Sequence, residues 1–331
     1  PTPITAGPRA FCNGGPERLC RLKVQSMPID TPIRSIEGDF STVNIMIYSP
    51  DGQTLAAGTR EGSVFLWRIS DGTLLQKLEN DSGSVESLAF SPDGKTLASG
   101  SSGETVQVHL WNVQDGTLLK IIPCQGAPLD LLGFSPDGKN LAIGGKYEST
   151  INLMDIANGR VLTSFMLPEV GSWAASLAFS PDGQIVGVGS YDNSIYLFKT
   201  TDGSLIRNLG EAEESYVSNK VSNIVFAPDG KTLAFGKEDN IELWRISDGV
   251  LISTLQGHGD HILNIAFSQN GQTLPSGSED GSLYLWQVSD GTLLRLVKIE
   301  SKVEYVAFSP DGLTFAAAVL YNVISIYQMP K

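Results

Sequence analysis

The chain alternates between apolar and polar residues in short runs, and turn residues separate these runs. Val85 to Phe90 (VESLAF) and Ile262 to Phe267 (ILNIAF) carry an apolar side chain at about every second position, which is the period of a half-buried β-strand. A second run of small and apolar residues, such as Thr96 to Gly100 (TLASG), follows after a turn. The pattern predicts a succession of short strands joined by tight turns.

One turn sequence recurs along the whole chain. Ser-Pro-Asp-Gly begins at Ser49, Ser91, Ser135, Ser180 and Ser309, and softer copies begin at Ala227 (APDG) and Ser268 (SQNG). Successive copies begin 41 to 47 residues apart. Proline presets φ for the second turn position and glycine supplies a positive φ, so each copy is predicted to be a hairpin turn between two strands.

A third strand and a second turn follow each hairpin. The third strand ends in an aromatic or large apolar residue, which is Trp67, Trp111, Met154, Phe198, Trp244, Trp286 or Tyr327. Six copies then continue with Asp-Gly or Asn-Gly, at Asp71, Asp115, Asn158, Asp202, Asp248 and Asp290. These dipeptides are strong hairpin signals, and a fourth strand closes the unit. Four antiparallel strands repeated at this interval are typical of a propeller blade.

The pattern SPDGKTLASGS…LW resembles the WD-repeat β-propeller family from about Thr31 to Met329. The acid of the family's Trp-Asp dipeptide is mostly replaced: Arg68, Asn112, Arg245 and Gln287 follow the four tryptophans, whereas Asp155 keeps the acid after Met154. The resemblance implies an all-β, seven-bladed β-propeller of four-stranded antiparallel blades over residues 31–331. Residues 1–30 form an N-terminal extension in this prediction.

The seventh copy supplies three strands before Lys331, and the segment Thr31 to Glu37 (TPIRSIE) has the pattern of a fourth strand without an upstream partner. We expect this N-terminal strand to pair in the C-terminal blade. Its pairing would close the ring, because an open ring leaves an unpaired strand edge.

The net charge of the chain and the length of its apolar runs indicate which classes of partner to expect. The chain has 23 basic and 36 acidic residues and a net charge of −13. This charge repels phosphate backbones, so we expect no nucleic-acid partner. No apolar run approaches the roughly 20 residues that cross a bilayer, so we expect no membrane span.

Cys12 and Cys20 lie on either side of a Gly/Pro turn (FCNGGPERLC) that would allow a disulfide, and two free thiols are the alternative. A disulfide and the start PTPITAGP, which has no initiator Met, would favour an exported protein over a cytoplasmic one. The regular SPDG copies favour a bacterial source.

His258 occupies the family's Gly-His position in the sequence QGHGDH. The resemblance implies a structural hydrogen-bond tetrad of His258, Ser276, Asp280 and Trp286. A catalytic Ser-His-Asp triad is the alternative, and the structural network is favoured because these groups satisfy one another within one blade. His258 and His261 form an H-x-x-H pair, but no third ligand completes a metal site, so we expect neither a metal nor a cofactor.

The resemblance also implies a binding face, built from the loops before the first strand and between the second and third strands of each blade. Aromatic residues of this face concentrate in the third and fourth blades, at Tyr147, Trp173 and Tyr191. Exposed aromatic residues on a rigid scaffold are typical interface anchors, whereas the alternative is that Trp173 fills a gap between blades. Asp130 and Glu148 would favour a basic partner surface, and His261 belongs to the same face.

The sequence therefore predicts a rigid, non-catalytic scaffold that binds other protein subunits and helps to assemble or anchor a complex. Fixed blades with variable loops suit such a role. The alternative is a propeller enzyme or a small-ligand binder that uses the mouth of the central channel.

Overall fold

The computed structural model describes residues 32–37, 42–79, 83–103, 106–124, 129–145, 148–168, 172–210, 223–299, 303–319 and 323–328. Within these ranges it contains 28 β-strands and no helix, so none of the described residues belongs to a helix that could cross a membrane. The predicted N-terminal extension, Cys12, Cys20 and Tyr147 lie outside the described residues.

The strands form seven antiparallel sheets of four strands, which we number as blades one to seven. The first strand of the chain is β1 (Arg34–Glu37). Blade one contains β2 (Val43–Tyr48), β3 (Thr54–Thr59), β4 (Ser63–Arg68) and β5 (Leu74–Glu79). Blade two contains β6 (Ser84–Phe90), β7 (Thr96–Ser102), β8 (Gln107–Asn112) and β9 (Leu118–Pro123). Blade three contains β10 (Leu131–Phe134), β11 (Asn140–Gly144), β12 (Thr150–Asp155) and β13 (Val161–Met166).

Blade four contains β14 (Ala174–Phe179), β15 (Ile185–Ser190), β16 (Ile195–Lys199) and β17 (Leu205–Leu209). Blade five contains β18 (Ile224–Phe226), β19 (Thr232–Lys237), β20 (Asn240–Arg245) and β21 (Val250–Gln256). Blade six contains β22 (Ile262–Ile265), β23 (Thr273–Ser278), β24 (Ser282–Gln287) and β25 (Leu293–Lys298). The last three strands are β26 (Val303–Phe308), β27 (Thr314–Val319) and β28 (Val323–Gln328).

Blade seven joins the two ends of the chain. Its strand order is β1-β28-β27-β26, and β1 pairs with β28 in a register that places Arg34 opposite Ile326 and Glu37 opposite Val323. The predicted seven-bladed all-β fold and its closure by the N-terminal strand are confirmed. Among the described residues the strand begins at Arg34, and Pro32 has no backbone N–H to extend the ladder; Thr31 lies outside the described residues.

The recurring turn is held by its own side chains, as blade two shows. Ser91 Oγ donates to Asp93 Oδ1 over 2.6 Å and accepts the backbone N–H of Thr96 over 2.9 Å, while Gly94 adopts a φ of +70°. Asp93 Oδ1 also accepts the N–H of Lys95. The Ser, Asp and Gly of the motif therefore each have a defined task, which explains why the motif repeats.

Blade six departs from the predicted strand length. The alternating pattern predicts a strand from Ile262 to Phe267, but β22 ends at Ile265. Residue Ala266 lies opposite Pro275 of β23 and donates to its carbonyl over 3.2 Å, whereas Pro275 has no N–H to return. The missing donor shortens the ladder.

The core lies between neighbouring blades. The second residue of the second strand has no exposed surface in any blade; these residues are Leu55, Leu97, Leu141, Val186, Leu233, Leu274 and Phe315. Small residues follow them, and in blade one Ala57 packs toward blade seven while Ala56 packs toward blade two. Such close packing fixes the blades relative to each other and gives the loops a rigid base.

Candidate functional site

Antiparallel pairing brings two sets of loops to one end of the propeller. The loop before the first strand and the loop after the second strand of a blade meet there, and we call this end the upper face. The Ser-Pro-Asp-Gly turns lie at the opposite end, the lower face. Trp173 directly precedes β14 and Tyr191 directly follows β15, so both belong to the upper face of blade four.

Trp173 and Tyr191 contact each other on this face. Their ring centroids are 6.4 Å apart and the ring planes meet at 74°, which is an edge-to-face arrangement. The Tyr191 N–H also donates to the Trp173 carbonyl over 2.9 Å. Both residues are half-buried, so the pair is supported by the blade and keeps part of its surface at the face.

A carboxylate beneath the pair fixes its position. Asp192 Oδ2 accepts hydrogen bonds from Ser172 Oγ over 2.5 Å and from the Tyr196 hydroxyl over 2.9 Å, and Asp192 Oδ1 accepts the Ser194 N–H. Burial, followed by the bond to Asp192, raises the pKa of Tyr196 to about 12. Ser172 precedes Trp173 and Asp192 follows Tyr191, so this network holds both aromatic residues by their neighbours.

The other predicted contact residues lie around the pair or across the channel. The Glu148 carbonyl accepts the N–H of Ala174, which places Glu148 beside Trp173. Asp130, Tyr191 and His261 line a cavity of about 620 Å³ at the centre of the propeller. The structure therefore brings Glu148, Trp173 and Tyr191 together, while His261 lies on blade six. Tyr147 is outside the described residues.

The central cavity is acidic. Glu86, Asp130, Glu238 and Glu279 line it together with His261. Glu86 is tied to its own blade, because Ser102 Oγ donates to Glu86 Oε1 over 2.9 Å. Among the described residues, no three His, Cys, Asp or Glu side chains are grouped so as to hold a metal ion. The carboxylates are thus distributed around the ring of strands.

The residues of the predicted tetrad meet in blade six. His258 Nε2 lies 2.7 Å from Ser276 Oγ, which also accepts the Trp286 indole N–H over 2.9 Å. Asp280 Oδ2 is 3.6 Å from His258 Nδ1 and accepts the Gly259 N–H over 2.7 Å. Ser282 lies between them: its Oγ is 3.0 Å from His258 Nδ1 and donates to Asp280 Oδ1.

The burial of Ser276 and His258 limits the chemistry that this network can perform. The Ser276 residue has no exposed surface and the His258 side chain is 1 % exposed. Tyr284 stacks on the His258 ring with centroids 4.0 Å apart. A substrate carbonyl has no path to the Ser276 hydroxyl, so we interpret the network as a link between the loop at His258 and strands β23 and β24.

The sequence reasoning missed two contributors, the Asp192 network of blade four and the bridging Ser282 of blade six. A signal for the first was available, because Tyr191-Asp192-Asn193-Ser194 has the same spacing as Glu279-Asp280-Gly281-Ser282. Aligning these turns would have placed Asp192 at the position of Asp280.

Two family models match parts of the chain. One, described as "Anaphase-promoting complex subunit 4 WD40 domain", matches residues 46–132. The other, described as "WD domain, G-beta repeat", matches residues 170–199 and 249–287. The second set of matches includes the aromatic pair of blade four and the network of blade six.

Three curated relatives illustrate the similarity. An uncharacterized WD repeat-containing protein of Synechocystis sp. is 30 % identical over 147 residues, which are 44 % of this chain and 41 % of the relative. A periodic tryptophan protein 2 homolog of Dictyostelium discoideum is 27 % identical over 46 % of this chain and 21 % of its own length. The meiotic recombination protein rec14 of Schizosaccharomyces pombe is 32 % identical over 46 % of this chain and 50 % of its own length. The chain thus spans half or less of the length of these relatives.

Proposed function

Because this chain is a member of the WD-repeat β-propeller family, we propose that it is a rigid, non-catalytic scaffold that binds another protein through the upper face of blade four. WD-repeat propellers generally bind other proteins. The partner would be a subunit of a complex that the propeller helps to assemble or anchor.

The observation that carries the proposal is the fixed aromatic pair. Trp173 and Tyr191 are held edge to face at 6.4 Å, and the Asp192 network restrains the residue next to each of them. Preorganised aromatic side chains lose little conformational entropy on binding, which is why they are frequent binding hot spots. Asp130 and Glu148 give the surroundings a negative charge, which suits a partner with basic residues at the rim of its interface.

The experiment is a comparison of one variant with a matched control. The tagged chain would first be used to recover a stoichiometric partner from an extract of its source, and the partner would then be purified. We expect Trp173→Ala to weaken the affinity for that partner about tenfold or more, as for a hot-spot residue. Leu119→Ala, which removes a 55 % exposed side chain at the outer rim, should leave the affinity unchanged.

Both variants must retain the melting temperature of the parent chain for the affinities to be compared. Tyr191→Ala should reduce the affinity in the same direction as Trp173→Ala, because the two rings form one contact surface. An unchanged affinity of the Trp173→Ala variant for the partner would contradict the proposal.

The cavity in the channel favours a second candidate, a binder of a small cationic ligand. Its four carboxylates are spread around the ring and would attract a polyamine. Melting curves with spermidine test this function. A ligand-dependent rise in melting temperature that Glu86→Gln removes would favour it over the scaffold.

A further inference from the structure

Side chains link several of the outer strands to the next blade at the lower face. In β1, Arg34 donates from Nη2 to the Ser70 carbonyl over 2.8 Å and from Nη1 to the Asp71 carbonyl over 2.6 Å. Ser70 and Asp71 form the second turn of blade one. The residue at this position thus connects blade seven with blade one, and we call such a residue a clasp.

The same clasp recurs four residues after the glycine of several second turns. Gln76 reaches the Gln114 carbonyl over 3.3 Å, Lys120 reaches the Ala157 carbonyl over 2.9 Å, and Arg207 reaches the Ser247 carbonyl over 3.1 Å. Each acceptor is the residue just before the Asp-Gly or Asn-Gly pair, or its equivalent. Long polar or basic side chains therefore fill the outer gaps at these interfaces.

Between blades three and four the clasp position holds Thr163, and a cavity of about 520 Å³ opens beside it. Thr201 occupies the acceptor position there, and no hydrogen bond joins Thr163 to Thr201 among the described residues. Leu162, Thr163 and Thr201 all line the cavity. We call this cavity the blade 3–4 groove.

The groove has an apolar side and an acidic side. Leu153, Leu162 and Phe179 supply apolar surface, and Leu162 is 52 % exposed. Asp137 and Asp182, from the Ser-Pro-Asp-Gly turns of the two blades, supply the carboxylates.

Both carboxylates are charged at neutral pH. The hydrogen bond from Ser135 and then the N–H of Lys139 lower the pKa of Asp137, and Ser180 and the N–H of Gln184 do the same for Asp182. Lys139 lies 4.0 Å from Asp137, but this pair is largely exposed to solvent and neutralises little.

We propose that the blade 3–4 groove binds an arginine side chain of a partner protein. Its methylene stem would pack on Leu162 and Phe179. Its guanidinium would pair with Asp182 and donate to the Thr201 carbonyl, which the short Thr163 side chain does not bond. At two other interfaces Arg34 and Arg207 of the chain already place a guanidinium at this position, where it donates to turn carbonyls of the next blade. The site is on the lower face, so it is independent of the aromatic pair of blade four.

The probe is the peptide acetyl-Ala-Arg-Ala-amide, titrated into the intact chain and followed by NMR. Thr163→Arg supplies the clasp from within the chain and should weaken binding about tenfold or more, as expected for losing a charge-assisted contact. Ser253→Arg is the matched control. It adds the same charge at the clasp position between blades five and six and should change binding less than about twofold.

A second variant keeps the proposal testable if the Thr163→Arg variant does not fold. Asp182→Asn should also weaken binding, and the turn should survive because Asn270 already fills this position in blade six. There Asn270 Oδ1 accepts Ser268 Oγ over 2.9 Å and the Gln272 N–H over 3.0 Å. The peptide with norleucine in place of arginine should not bind.

Several results would overturn the proposal. These are no binding by the parent chain, equal losses in Thr163→Arg and Ser253→Arg, or equal binding of the norleucine peptide. Concentration-dependent self-association that Thr163→Arg abolishes would assign the groove to a second copy of the chain. Peptide binding that appears only after Arg9, Arg18 and Arg21 are changed to Gln would assign it to the chain's own N-terminal segment.

Discussion

Blades four and six both use an aspartate to hold the segment before their first strand, but the aspartates bond different groups. Each has an aspartate in the turn after its second strand, Asp192 in one and Asp280 in the other, and each aspartate ties down the loop before the first strand. In blade six the ties include the main chain of Gly259. In blade four they include the side chain of Ser172.

The two blades differ in the buried residues that contact the aspartate and in the residue that each presents at the upper face. Blade six buries an imidazole, a serine and an indole, and its face residue His261 is exposed. Blade four has Val188 and Phe198 at the positions of Ser276 and Trp286, so its network is limited to the carboxylate, Ser172, Ser194 and Tyr196. Its face residue is Trp173. In blade four the aspartate thus holds Ser172, next to Trp173, without a buried histidine, and we expect the deeper network of blade six to add stability.

The largest expected effect is in the deeper network. His258→Ala removes a buried ring that contacts Ser276, Ser282 and Tyr284, so it should lower the free energy of unfolding by about 2–4 kcal/mol. His261→Ala, three residues away and exposed, should change it by less than about 0.5 kcal/mol. Urea unfolding followed by tryptophan fluorescence measures both.

If His258→Ala costs no more than His261→Ala, the network of blade six does not stabilise the propeller, and the two blades do not differ in the way described. The two histidines share one loop, so the pair of variants separates burial from sequence position.

The next effect depends on pH. Burial alone would raise the pKa of Asp280, but hydrogen bonds from His258, Ser282 and the Gly259 N–H together lower it well below its usual range. A carboxyl whose pKa is lower in the folded state stabilises the fold above its unfolded pKa of about 4, and this contribution is lost as the pH falls below that value. Asp280→Asn should therefore destabilise the chain by about 1–3 kcal/mol at pH 7, and the difference from the parent should shrink toward pH 3.

Chemical unfolding of the parent and the variant at several pH values between 3 and 7 tests this prediction. Glu279→Gln is the control, because it removes one charge from the adjacent, exposed position. A constant difference between the parent and Asp280→Asn at all pH values would contradict the assigned role of the charge.

The fold could be predicted because its signals are local and repeated. The turns Ser91 to Gly94 and Asp115-Gly116 fix φ, and their side-chain bonds reach no further than five residues along the chain. Seven repetitions of the first turn outweigh the drift of any one copy. The end of β22 was missed because it depends on Pro275 in the neighbouring strand. That is a cross-strand effect, which the pattern of a single run does not contain.

The candidate site was predicted less completely. Trp173 and Tyr191 were predicted as contact residues from their positions relative to the strands. The structure puts their rings in contact, and their role in binding stays a prediction. The network that holds them was not found, because Asp192 bonds Ser172, 20 residues away, across a loop. The blade 3–4 groove was missed for a similar reason: Thr163 becomes informative only when compared with Arg34 and Arg207 at the same place in other blades.

The smallest expected difference compares two tyrosines at the same position. Tyr196 of blade four donates to the Asp192 carboxylate over 2.9 Å, whereas Tyr284 of blade six donates to the Gly257 carbonyl over 2.9 Å. A hydrogen bond to a charged acceptor contributes more than one to a neutral acceptor, so Tyr196→Phe should cost about 1–2 kcal/mol and Tyr284→Phe about 0.5–1 kcal/mol. Near-ultraviolet circular dichroism should also change in Tyr196→Phe, because Asp192 would then hold the loop at Trp173 through fewer bonds. Equal costs in the two variants would show that the charged acceptor gives the Tyr196 hydrogen bond no advantage over the carbonyl acceptor of Tyr284.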